Sequence, residues 1–279
     1  MDWTEKDFAR NENNGSRVSL HYWQKGSGPP ILLLHGITDT GACWGRTADA
    51  LAERFTVYAL DQRGHGQSDV PENGYALADC VADAAALLRT VHAVPSMVMG
   101  HSYGAILTMM LAAQQPELVS KAVLVDPPMW DGMLQMPAEG ADERRLKFFD
   151  WLIQLQDKSH EELVAHCHAQ SPNWTDEECE QWATSKHQVR PRVWQKDGTE
   201  FGSDWRADIS HIKCPTLFVR GEPACGGIVS DADLADVKSL LQNGQVVTVA
   251  QAGHSVQRDR NAEFMAVVLP FLLAASQVQ

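Results

Sequence analysis

Short apolar runs alternate with stretches of helical spacing along most of this chain. Residues 18–23 alternate apolar and polar, as a half-exposed strand does, whereas residues 30–34 are continuously apolar, the pattern of a strand buried on both faces. Similar runs at 55–60, 96–99, 121–125, 215–220 and 245–249 predict further strands. Between them, 43–54, 76–92, 105–114, 231–241 and 262–273 carry apolar residues at helical spacing. Strands that alternate with helices build a mostly parallel sheet with helices on both faces, so the pattern predicts an α/β fold.

The alternation stops between residues 129 and 210. Five of the nine tryptophans fall in the first part of this stretch (Trp130, Trp151, Trp174, Trp182, Trp194), and strand-like runs are scarce. The spacing predicts helices at 141–156, 159–170 and 175–187, the last opened by Thr175-Asp176-Glu177-Glu178, a capping-box pattern. We read residues 129–210 as a helical cap inserted into an α/β core formed by 1–128 and 211–279.

Size and charge narrow the classes. A chain of 279 residues suffices for one such core plus an insertion. The formal net charge of −13 argues against nucleic acid and anionic membranes as partners and leaves a small molecule as the expected one; a homodimer is compatible with everything in the sequence. Six cysteines occur without a Cys-x-x-Cys pair, so neither a disulfide framework nor a zinc site is expected. No basic-then-apolar leader opens the chain and no apolar run reaches the roughly 18 residues of a membrane span, which leads us to expect a reduced, cytoplasmic protein.

The most informative segment is Gly100-His101-Ser102-Tyr103-Gly104, set between an apolar strand and a helix. In that context Gly-x-Ser-x-Gly reads as a nucleophile elbow. The turn is sharp enough to strain the serine backbone, and glycines on either side remove bulk that would strike the neighbouring strand and helix.

Three further pieces join the elbow in order along the chain. They are His35-Gly36 after a buried strand, the loop Asp61-Gln62-Arg63-Gly64-His65-Gly66-Gln67-Ser68, and Ala252-Gly253-His254 after the last strand. Together they resemble the α/β-hydrolase family, in particular its capped single-domain members. The resemblance implies that Ser102 is a nucleophile and His254 its general base. It implies an oxyanion hole built from the backbone N–H groups of Tyr103 and Ile37. Asp61, Arg63 and Ser68 are expected to fix their loop by internal hydrogen bonds.

The triad acid is open. Most relatives carry it in a Gly-x-x-Asp pattern one strand before the histidine, but here that stretch reads Gly221-Glu222-Pro223-Ala224. A minority carry it one strand earlier, where Asp126 stands, 24 residues beyond Ser102. Asp126 is favoured, Glu222 is the alternative, and Asp231 and Asp233 remain. Met129, Trp130, Met133 and Trp151 are candidates to line an apolar pocket, or simply to pack the cap.

The implied activity is hydrolysis of an apolar carboxylic ester or lactone through an acyl-enzyme, with no metal or other cofactor. A carbon–carbon hydrolase of the ring-fission type and an inactive ligand-sensing scaffold are the alternatives, and amide hydrolysis is also compatible with the same residues.

Overall fold

A computed structural model describes residues 2–12, 15–129, 150–190, 193 and 204–275. Eight strands form one sheet in the order β1-β2-β4-β3-β5-β6-β7-β8. The strands are β1 (Thr4–Asn11), β2 (Arg17–Gly26), β3 (Pro30–Leu34), β4 (Thr56–Leu60), β5 (Ser96–His101), β6 (Val119–Val125), β7 (Thr216–Arg220) and β8 (Gly244–Thr248). Only β2 pairs antiparallel, with β1 on one side and β4 on the other; every pair from β4 to β8 is parallel. Six C-terminal strand ends, those of β3 to β8, therefore lie side by side along one edge, where such sheets place their sites.

The apolar runs explain the layering. Alternate residues of the central strands face opposite ways. Leu32, Leu34, Val98, Leu124 and Phe218 pack with the helices α2 (Leu77–Thr90) and α3 (Tyr103–Gln114) on one face. Ile31, Leu33, Met99, Val123 and Val219 pack on the other face, against α1 (Gly45–Ala52) and the C-terminal helix. Fully burying one such side chain stabilises the fold by about 1.5–3 kcal/mol, which is why continuous apolar runs occupy the middle of the sheet. Strand β1 was not anticipated. Only Phe8 of its eight residues is buried, because it is an edge strand whose register comes from pairing with β2 rather than from a core face.

Between β6 and β7 the structure shows a helical end at residues 150–156, then α4 (His160–Gln170), α5 (Asp176–Gln188) and α6 (Trp205–His211). Residues 141–149 of the first predicted helix lie outside the described residues. Thr175 and Glu178 form the capping box read from the sequence, and Ser159 with Glu162 forms a second one on α4. The short helix α6, which the hydrophobic pattern did not single out, buries Trp205 and Ile209 in the core cluster that contains α3. The remaining helices are α7 (Asp231–Leu240), α8 (Val256–Asp259) and α9 (Asn261–Leu273).

One expectation is overturned. Cys167 and Cys179 pair as a disulfide between α4 and α5. They are twelve positions apart, a spacing that belongs to no recognisable motif, and they meet only because the two helices fold back on each other. Among the described residues no helix is long and apolar enough to cross a membrane.

Candidate active site

Strand β5 is buried throughout and delivers the chain to Ser102 at the C-terminal edge. Ser102 adopts φ 53° and ψ −120°, a conformation that costs a residue with a Cβ about 1–3 kcal/mol. The turn is held because Ser102 N–H donates to Val125 O (2.9 Å) and α3 starts at the next residue. A Cβ on Gly100 would overlap the Gly104 carbonyl, and one on Gly104 would overlap the Leu34 carbonyl. Both glycines are therefore required by backbone, which no side-chain rotation could move aside.

One strand over, Asp126 follows β6 with its side chain fully buried. Its own N–H donates to Val219 O (2.7 Å). Its carboxylate accepts from Gly221 N–H (3.1 Å), Ile228 N–H (3.0 Å) and His254 Nδ1 (2.8 Å). Three donors converge on this one buried carboxylate, and the bond from Nδ1 fixes the imidazole with Nε2 as its free nitrogen. Glu222 does not compete. Its carboxylate accepts from Gln251 N–H (2.8 Å), while Asp231 pairs with Arg220 (2.6 Å) and Asp233 caps α7 through Ser230.

His101, the elbow residue before Ser102, connects the two segments. Its Nε2 donates to His254 O (2.9 Å), and the two rings lie 4.7 Å apart. Burial, with His254 adding to it, pulls the His101 imidazole down to about 3, so it stays neutral and serves as a fixed donor. Among the described residues no hydrogen bond joins Ser102 Oγ to His254 Nε2; such contacts are commonly long until substrate binds.

The loop after β3 lies directly against the elbow: a Cβ on Gly36 would sit 3.4 Å from Ser102 Cβ. Asp39 N–H donates to Gly36 O (3.0 Å), closing a turn around Ile37 and Thr38. His65 Nε2 donates to Ile37 O (2.7 Å), and Gln62 N–H donates to His35 Nε2 (3.1 Å). The loop Asp61–Ser68 has internal bonds at Asp61 and Ser68, as expected, but Arg63 departs from that expectation and reaches outward to Asp83, Glu12 and Gly74 O, because a buried guanidinium needs acceptors the loop does not supply. Asp61 accepts from Gly41 N–H and Gln67 N–H, Ser68 Oγ donates to Asp61 O, and Arg63 forks onto Asp83 (2.6 and 2.8 Å). Tyr103 is buried, with its hydroxyl on Cys80 Sγ (3.5 Å).

Of the pocket candidates, Met129 is buried in the core cluster that contains α3, and Trp151 is 40% exposed. Trp130 and Met133 lie outside the described residues. Sequence reasoning missed a buried charged group beside the site. Asp39 accepts from Arg258 (2.6 Å) and Lys186 (3.3 Å). Burial alone would raise the Asp39 carboxyl, but the two cations outweigh it and hold the group well below its ordinary range. The three residues lie far apart in the chain with no motif to tie them. Among the described residues no group of three or more His, Cys, Asp or Glu is arranged to hold a metal ion.

A strained serine at an elbow, an imidazole fixed by a buried carboxylate and a doubly flanked sheet define a hydrolase scaffold. The family model described as the alpha/beta hydrolase family matches residues 31–267, and the chain belongs to that family. Among its relatives is 2-(acetamidomethylene)succinate hydrolase of Mesorhizobium japonicum, 32% identical over 249 residues that cover 86% of either chain. Another is N-formylmaleamate deformylase of Pseudomonas putida, 29% identical over 261 residues, 91% of this chain and 93% of the relative. A crystal structure of E-2-(acetamidomethylene)succinate hydrolase superposes with a TM-score of 0.76 at 26% identity, covering 97% of this chain and all of the other.

Proposed function

We propose that this hydrolase works through a Ser102–His254–Asp126 triad. The observation that carries the reading is the 2.8 Å bond from His254 Nδ1 to the buried Asp126 carboxylate, on the same edge as the strained Ser102. His254 Nε2 takes the Ser102 proton as the hydroxyl attacks a carbonyl carbon. The N–H groups of Ile37 and Tyr103 hold the oxyanion, each stabilising the transition state by about 3 kcal/mol. His254 then protonates the leaving group and activates a water that releases the acid. Asp126 keeps its bond to Nδ1 throughout and so stabilises the imidazolium.

The sequence alone pointed to an ester or lactone. Two relatives that match over most of the chain have names that specify an acetamido and an N-formyl group on a small carboxylate. We therefore favour a short N-acyl amide of a small acid as the substrate, with esters of the same acyl group cleaved by the same acyl-enzyme route. The inserted helices suit a cap over residues 129–210. They and the residues flanking α5 touch the loops after β3 and β4 and the helix α8, through Lys186 on Thr38, Arg190 N–H on Gly64 O and Trp174 on Asp259. A cap there would exclude bulk water from the acyl-enzyme.

The test is turnover of N-acetyl and N-formyl enamides of small acids, of nitrophenyl acetate and of a ring-fission dienone, by wild type and by Ser102→Ala. Wild type should cleave the amides and the ester, and S102A should lose at least about 10⁴-fold of both while melting at the same temperature. Activity confined to the dienone would move the assignment to carbon–carbon cleavage. Undiminished turnover by S102A would remove Ser102 from the chemistry.

A further inference from the structure

Lys186, near the C-terminal end of α5, is wholly buried, and all three of its ammonium hydrogens have an acceptor in the loop after β3. Its Nζ lies 2.7 Å from Thr38 O, 3.2 Å from Thr38 Oγ1 and 3.3 Å from Asp39 Oδ1. The Trp182 ring covers it at 4.8 Å. A buried ammonium is costly, and burial does draw Lys186 below its ordinary range despite Asp39. Anchoring the inserted helices needs no ammonium; an apolar side chain would do that more cheaply. What the ammonium does that an apolar group could not is fix a backbone carbonyl.

That carbonyl matters because of its neighbour. His65 holds Ile37 O from one side and Lys186 holds Thr38 O from the other, inside the turn closed by Asp39 N–H on Gly36 O. Thr38 O shares its peptide plane with Asp39 N–H, so Lys186 aims that N–H at Gly36 O, the carbonyl of the plane that carries Ile37 N–H; His35 Nδ1 holds the same oxygen (2.8 Å). Among the described residues Ile37 N–H donates to no other group. Asp39 extends the linkage to Arg258, four residues past His254 and on the helix that follows it.

We propose that Lys186 is a positioning residue for the oxyanion hole, so that seating the inserted helices and orienting Ile37 N–H are one event. The inference rests on the serine-hydrolase reading given above. A hole completed only when the helices are docked would leave Ser102 a poor catalyst toward water and solvent while the site is open.

The variant Lys186→Met is unbranched and similar in volume, ends one atom short of the ammonium, and leaves Asp39 paired with Arg258. Its kcat should fall about 10–100-fold with KM within threefold, since the hole acts on the transition state and not on bound substrate. Affinity for a boronic acid, which forms a tetrahedral adduct on the serine, should fall by the same factor, and affinity for the carboxylic acid product should hold. A folded K186M with the kcat of wild type, or one whose KM rises while kcat holds, overturns the proposal.

Wild type supplies a second test that does not depend on the variant folding. Forming the boronate adduct should slow amide hydrogen exchange in residues 176–188 together with residues 36–40, because coupling between two sites is reciprocal. Slowing confined to 36–40 overturns the proposal. A wild-type protein that forms no adduct at Ser102 fails at the earlier step, and overturns the serine-hydrolase reading along with this one.

Discussion

Asp126 sits at φ 43°, an unusual conformation for a residue with a side chain, and recovers that strain through three hydrogen bonds to its carboxylate. Replacing it by asparagine keeps the shape but offers the wrong partner to His254 Nδ1. Asp126→Asn should lower kcat by about 10⁴-fold, by analogy with other triads, whereas Glu222→Gln should stay within threefold of wild type. Steady-state kinetics of the two variants decide this, and the opposite pattern would move the acid to Glu222. The sequence left the question open for a physical reason. A strand end carries an aspartate equally well as a turn residue, and only the approach of the Gly221, Ile228 and His254 donors sets this one against the imidazole. Ser102 and His254 stand out as candidates in the sequence because their positions are tied to local motifs. Lys186 and Arg258 do not, because their meeting with Asp39 depends on how separate elements pack.

The elements followed the hydrophobic pattern closely where burial decides them. Strands β3, β5 and β7 occur where continuous apolar runs lie, and α5 starts at the capping box read from Thr175 and Glu178. Strand β1 was illegible because an edge strand with one buried residue has no apolar period. The Cys167–Cys179 bridge was illegible because helix pairing, not spacing, brings the sulfurs together. The elbow yields the sharpest prediction at this scale. In Gly104→Ala the new methyl meets the Leu34 carbonyl, backbone of the central strand β3, which cannot yield without breaking the sheet. The substitution should cost more than about 4 kcal/mol, or prevent folding, as read by urea unfolding of the purified protein. A variant within 1 kcal/mol of wild type, by the same rough scale, would mean that the elbow is looser than described.

The whole molecule buries titratable groups that make it sensitive to acid. His35 and His101 are fully enclosed; burial pulls both down to about 3, with a neighbouring histidine adding to the effect in each case. Because the folded values lie below the unfolded value near 6.5, the unfolded chain binds more protons across that window. Stability should thus be full above about pH 6.5 and fall as pH drops toward 3, by up to about 2–3 kcal/mol per pH unit if both histidines contribute. Asp39, held low by Arg258 and Lys186, adds in the same direction below about pH 4, where the unfolded carboxylate takes up its proton. Urea midpoints that decline from pH 7 to pH 5 would agree, and midpoints that stay flat would contradict the burial of these groups. The account as a whole turns on one bond-forming event, attack by the Ser102 hydroxyl. Peptide mapping by mass spectrometry after treatment with a fluorophosphonate reads it directly. One adduct per chain on the peptide containing Ser102, lost in His254→Ala, is the predicted result; active protein that carries no adduct there would contradict it.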